Sequence, residues 1–137
     1  MKAIIDTNVV LDVLLDREPF VKPAIEVFCL AEESSIEAFI CATTVTTIDY
    51  LLMKSLPKSK ARNALRRLIS LFEIATVNRP VIERAFESNI TDFEDAVLNE
   101  AGQMAGVDFV ITRNTKDLAG STLKICEPNE FLALLDS

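Results

Sequence analysis

The sequence predicts a three-layer α/β domain built on a central, mainly parallel, five-stranded sheet. Two observations predict it. Short apolar runs of strand length alternate with segments of helical periodicity from one end of the chain to the other. No repeat, low-complexity stretch or linker divides the 137 residues, half of which are hydrophobic, so residues 1–137 read as a single domain. A chain of this size buries roughly two thirds of its unfolded surface, enough for a full core.

The elements follow in order. Lys2 to Ile5 is an apolar run ending in Asp6-Thr7-Asn8, a first strand and a turn. Thr7 or Asn8 can cap a helix through Leu15. After a break at Pro19, Val21 to Glu33 places Ala24, Val27, Phe28 and Ala31 on one helical face. Glu37 to Ala42 is a second strand, and Thr43 or Thr44 opens a helix to about Lys54. Pro57 separates it from a helix over Lys58 to Ser70. Phe72 to Val77 is a third strand, and Arg79 to Ser88 a helix. Thr91-Asp92-Phe93-Glu94 has the form of a capping box opening a helix to about Ala105, with Gly106 at its end. Asp108 to Thr112 is a fourth strand, Leu123 to Cys126 a fifth, and Pro128 to Leu135 a last helix.

Composition narrows the chemistry mostly through what is missing. There is no histidine, which excludes Ser-His-Asp and Cys-His catalysis and histidine-ligated zinc. The three glycines, Gly102, Gly106 and Gly120, all lie late in the chain, so no glycine-rich loop cradles a phosphate. Cys29, Cys41 and Cys126 are scattered among apolar residues and read as buried, reduced thiols of a cytoplasmic protein. The apolar opening is interrupted by Asp6 and Asp12, and no run reaches the ~20 residues of a membrane helix, so no membrane association is expected. Carboxylates and a bound metal remain as catalytic tools. The net charge of -7 argues against a nucleic-acid partner unless charge is segregated. It is segregated: Lys54, Lys58, Lys60, Arg62, Arg66 and Arg67, six of 14 basic residues, share a stretch without Asp or Glu. That stretch is a surface for an RNA backbone or a solvated helix face. The aromatic residues do not interleave with it, so no base-stacking platform is expected.

Three acidic or polar clusters are candidates. Asp6 ends the first strand, where ligands gather in parallel sheets, and serves a hard cation or caps a helix. Asp12 and Asp16 are expected on the solvated face of the first helix. Asp92, Glu94 and Asp95 fall in the first turn of one helix, where its dipole favours acids. Asp95 shares a face with Asp92 at (i, i+3). Thr112, Asn114 and Asp117 follow the fourth strand with oxygen ligands, or form a polar turn.

Together, KAIIDTNVVLDVLL, DFEDAVLNEAGQMAGVDFVITRNTKDLAG and LKICEPNEFLALL resemble a PIN domain, and within that family the VapC-like proteins of bacteria. The likeness covers nearly the whole chain in order. It implies a Rossmann-like fold, an Mg²⁺- or Mn²⁺-dependent endoribonuclease, and a toxin–antitoxin toxin. By residue matching, the resemblance implies that Asp6 is the family's first acid and Asp95 the acid opening the DA-containing helix, that Asp117 lies with Thr112 and Asn114 in the segment supplying the remaining groups, and that Thr7 and Asn8 support Asp6. The resemblance further implies an RNA substrate, a cognate antitoxin whose basic side chain enters the acidic cleft, and a homodimer. One position departs from the pattern. Thr47 stands where the family carries a glutamate after the second strand; either Asp49 substitutes or the second acid is absent. A catalytically weakened binding module of RNA or protein is the alternative within the family. A phosphatase or receiver domain fits less well, because Asn8 stands where such a phosphatase needs a second aspartate.

Overall fold

A computed structural model describes residues 1–136 of the chain. Its elements run β1 (Lys2–Ile5), α1 (Thr7–Leu14), α2 (Val21–Glu32), β2 (Glu37–Cys41), α3 (Ala42–Leu52), α4 (Lys58–Leu71), β3 (Glu73–Ala75), α5 (Arg79–Phe86), α6 (Phe93–Ala105), β4 (Phe109–Ile111), β5 (Lys124–Cys126) and α7 (Pro128–Leu135). A single 3₁₀ turn, Thr115–Leu118, lies between β4 and β5. The strands pair in the order β3-β2-β1-β4-β5, and all four pairings are parallel.

Alternation along β1 sorts the core into two faces. Ala3 and Ile5 pack with Val9, Val10, Val27, Ile48, Leu65 and Phe131 of α1, α2, α3, α4 and α7. Ile4 points the other way, among Val81, Ala96, Val97 and Ala101 of α5 and α6. A strand covered on both faces has no solvated side, which is why β1 reads as an unbroken apolar run. The helix layers on either face complete the expected three-layer architecture.

Several local expectations change. Asp6, rather than Thr7 or Asn8, caps α1, its carboxylate accepting from Thr7 N at 2.8 Å. The helix at residue 93 is capped by Asp92 accepting from Asp95 N at 3.0 Å, so Thr91 and Glu94 do not form a capping box. Aspartate holds its oxygens at the short reach the N3 amide needs. β3 and β4 are shorter than expected; Phe72, left out of β3, is buried and meets the Phe28 ring edge-on at 5.0 Å. Cys41 and Cys126 are buried, but Cys29 is exposed on the outer side of α2. Asp12, expected in solvent, is buried; two arginines replace the water it gives up. Among the described residues no helix is long and apolar enough to cross a membrane.

Gly106 closes α6 at φ 76°, where its N–H bonds the carbonyl of Gln103 at 3.1 Å. A side chain there meets no neighbour but is strained by the left-handed backbone. Gly106→Ala is therefore expected to lower stability by about 1 kcal/mol, read as a shift in the urea midpoint with an unchanged slope.

Candidate metal centre

The chain runs β1 to β3 outward on one side of the sheet and then crosses to β4 and β5 on the other. The reversal leaves a crevice beyond the carboxyl ends of β1 and β4, the usual place for a ligand in such sheets. Asp6 and Thr112 are the first residues past those two strands. Asp6 N donates to the Ile111 carbonyl at 2.9 Å, extending the ladder one step and seating the aspartate between the strands. Its carboxylate, 6 % exposed, accepts from Thr7 N at 2.8 Å, Thr112 Oγ1 at 2.8 Å and Asn8 Nδ2 at 3.4 Å. Thr112 Oγ1 in turn accepts from Asn8 Nδ2 at 3.3 Å and Asn114 N at 3.0 Å. Thr7 Oγ1 reaches the buried Thr44 Oγ1 at 3.3 Å.

Acids from other segments face this group. Burial raises the Asp6 carboxyl above its ordinary range, against the lowering effect of its Thr112 and Thr7 bonds, and the charges of Asp92 and Asp117 raise it further. Half-buried Asp95 is pushed up to about 7, first by desolvation, then by Asp6, Asp92, Asp117 and Glu94. Folding has thus brought residues 6, 92, 95 and 117 within range of mutual repulsion. Asp92, Asp95, Lys116 and Asp117 line one cleft. Among the described residues, however, no three acids or thiols are grouped closely enough to grip one ion together. Their oxygens are spoken for locally, Asp6 by Thr7 and Thr112 and Asp92 by the start of α6. The donors are carboxylate, hydroxyl and amide oxygens without imidazole, a hard set that fits Mg²⁺ or Mn²⁺. It fits an ion held partly through its own waters, as Mg²⁺ commonly is.

Not every candidate joins the cleft. Asp49 is engaged by Arg62, Nε at 3.0 Å and Nη2 at 3.4 Å, and is not among the charges that raise Asp6 or Asp95. Its carboxylate is committed to that ion pair. Thr47 instead donates to Glu94 Oε1 at 3.2 Å. An acid from the start of α6 therefore stands beside the position where the family pattern places one on α3. The sequence offers Glu94 as a capping-box acid and as one of the acids clustered at the helix start; its meeting with Thr47 spans 47 residues and has no local signal.

The six basic residues are all exposed, on α4 and the turn before it. Arg62 pairs with Asp49, Arg66 bonds Asn63, and Lys54 lies over the Tyr50 ring at 4.9 Å, so one exposed aromatic does touch the stretch.

Asp6 and Asp95 each bind a proton more tightly when folded than when unfolded. The folded state then holds more protons between the ordinary value of 3.8 and about 7, and stability falls as pH rises through that window. The metal-free protein should melt at a higher temperature at about pH 5 than at about pH 7.5, and Asp95→Asn should flatten this dependence. Thermal melts across that range check both.

The PIN domain family model matches residues 2–116. Ribonuclease VapC1 of Aquifex aeolicus (strain VF5) is 22% identical over 135 residues, spanning 95% of this chain and 92% of the relative. A toxin–antitoxin complex from Klebsiella pneumoniae superposes with a TM-score of 0.69 at 25% identity, covering 92% of this chain and 97% of that one. VapBC2 of Rickettsia felis, solved bound to a DNA fragment from its promoter, superposes with a TM-score of 0.69 at 17% identity, covering 93% and 98%. With a family match over most of its length and the same parallel sheet and helix layers, this chain belongs to the PIN domain family.

Proposed function

We propose that this protein is a divalent-metal-dependent endoribonuclease, the toxin of a toxin–antitoxin pair. The observation that carries the reading is the gathering of acids at Asp95, whose proton affinity rises first through burial and then because Asp6 and Asp117 from other segments, and Asp92 and Glu94 from its own helix start, crowd it. A divalent cation relieves that repulsion without a proton. Asp6, Asp95 and Asp117 would hold Mg²⁺ or Mn²⁺, Asn114 would assist through water, and Glu94, set on Thr47, would stand in for the absent α3 acid. When bound, such an ion lowers the pKa of water and offsets charge on a phosphodiester.

The chain's own groups do the rest. Thr7, Asn8 and Thr112 orient Asp6. With no histidine, proton transfer falls to a carboxylate or to water. The exposed basic side chains Lys54, Lys58, Lys60, Arg66 and Arg67 would track an RNA backbone, with Arg62 partly committed to Asp49. An antitoxin is supported by the two structural relatives, which are complexes with such partners. A basic antitoxin residue entering the cleft would compete with the cation, and a homodimer is the proposed assembly.

A second reading, a binding module without catalysis, is favoured by two observations: no acid stands at position 47, and among the described residues no three acids are preassembled. Manganese titration with a cleavage assay on structured RNA separates the two, since a module takes up no specific ion and cuts nothing. Asp6→Asn is expected to reduce metal-dependent cleavage to background with the fold intact, and full activity in that variant would refute the role. Glu94→Gln should weaken Mn²⁺ binding by roughly tenfold or more, by analogy with groups that orient or complete a metal shell. Wild-type affinity in that variant would leave Thr47 without a substitute acid.

A further inference from the structure

Beneath the candidate centre lies a second ionic cluster. The Asp12 side chain is 1 % exposed. Its oxygens accept from Arg17 Nε at 2.9 Å, Arg113 Nε at 2.7 Å and Arg113 Nη2 at 3.1 Å. Arg113 also covers the Phe20 ring, 3.9 Å from its centroid. The cluster is tied to the cleft through one residue. Arg113 N donates to Asn8 Oδ1 at 3.2 Å, and Arg17 Nη2 donates to the Asn8 carbonyl at 3.1 Å. Asn8 Nδ2 then donates to Asp6 Oδ2 and to Thr112 Oγ1.

The direction of this chain of bonds is fixed. A backbone N–H only donates, so Asn8 must turn its oxygen toward Arg113 and its NH₂ toward Asp6. Asp6 accepts three such bonds, and an ionised carboxylate offers about four acceptor sites. The hydrogen bonds thus leave about one acceptor direction open on this carboxylate. Asn8 and Asp12 sit one helical turn apart on α1, and Arg113 follows β4, so the ion pair also locks the helix to the strand end at the crevice.

We propose that Asp12 is a positioning residue for the metal centre, acting through Arg113 and Asn8 to fix the orientation of Asp6. The proposal rests on the metal-dependent reading above. Asp12 touches neither the cleft nor, on this assignment, the ion.

The test is Mn²⁺ affinity of the folded full-length chain, measured by calorimetry near pH 8 with melting curves alongside. Asp12→Asn and Asn8→Ala are each expected to weaken Mn²⁺ binding by roughly 10–100-fold, and the double variant by no more than the worse single one, because both act through one carboxamide. Asp12→Asn also removes a charge. Arg113→Lys keeps every charge but loses the two-pronged grip on Asp12, and about a tenfold loss is expected there too. Should Asp12→Asn fail to fold, the Arg113→Lys and Asn8→Ala pair carries the same comparison. A folded Asp12→Asn or Arg113→Lys protein binding Mn²⁺ within about twofold of wild type overturns the proposal, as do losses that multiply in the double variant. Failure of the wild-type chain to bind Mn²⁺ removes the metal reading and this proposal with it, whereas wild-type binding that the variants leave unchanged removes this proposal alone.

Discussion

Asp6 is a carboxylate placed where its charge is costly: nearly buried, between two central strands, with Asp92, Asp95 and Asp117 in electrostatic range. It is tolerated because its oxygens accept from a hydroxyl, a backbone amide and a carboxamide. Satisfied hydrogen bonds offset much of the desolvation of a buried polar group. Among the described residues no buried side-chain nitrogen or oxygen lacks a partner, so this arrangement is complete rather than strained. The hydroxyl comes from β4's end and the amide from α1, so the acid also stitches the first helix to the first strand beyond the crossing.

The sheet supplies what the site needs. A parallel sheet with helices on both faces leaves every strand's carboxyl end on one edge, and the reversal between β1 and β4 opens a gap there. Residues more than a hundred positions apart, Asp6 and Thr112, become neighbours by that topology alone. The start of α6 is brought to the same edge, with Asp92 committed to its cap and Asp95 left to meet the charge of Asp6.

Charge is arranged on two scales. Overall the chain carries -7, yet six exposed basic residues share α4 and the preceding turn, a stretch that itself contains no acid. Buried charge is handled differently in two places. Asp12 is matched by two arginines and forms a closed ion cluster. The cleft acids lack such partners and pay in proton affinity, which marks them as the pair of environments where function is to be sought.

The order of strands and helices, the three layers and the candidate acids at positions 6, 95 and 117 were legible in the chain itself. Apolar runs of strand length, helical spacing and the Asp-Thr-Asn and Thr-Arg-Asn turns are local signals, and period reports which surfaces are buried. Expectations failed where a side chain's partner lies far along the sequence. Asp12 looks like a solvated helix acid until Arg113, 101 residues away, neutralises it. Glu94 looks like a capping and dipole acid until Thr47, 47 residues away, meets it. The caps of α1 and α6 were misplaced by one or two residues because neighbouring Thr, Asn and Asp all suit the position, and only backbone geometry selects among them; α3, expected to open at Thr43 or Thr44, starts at Ala42 behind Cys41. Sequence by itself determined which residues seek the core and which chemistry is on hand; tertiary structure decided which charges meet, because pairing energy depends on distance in space.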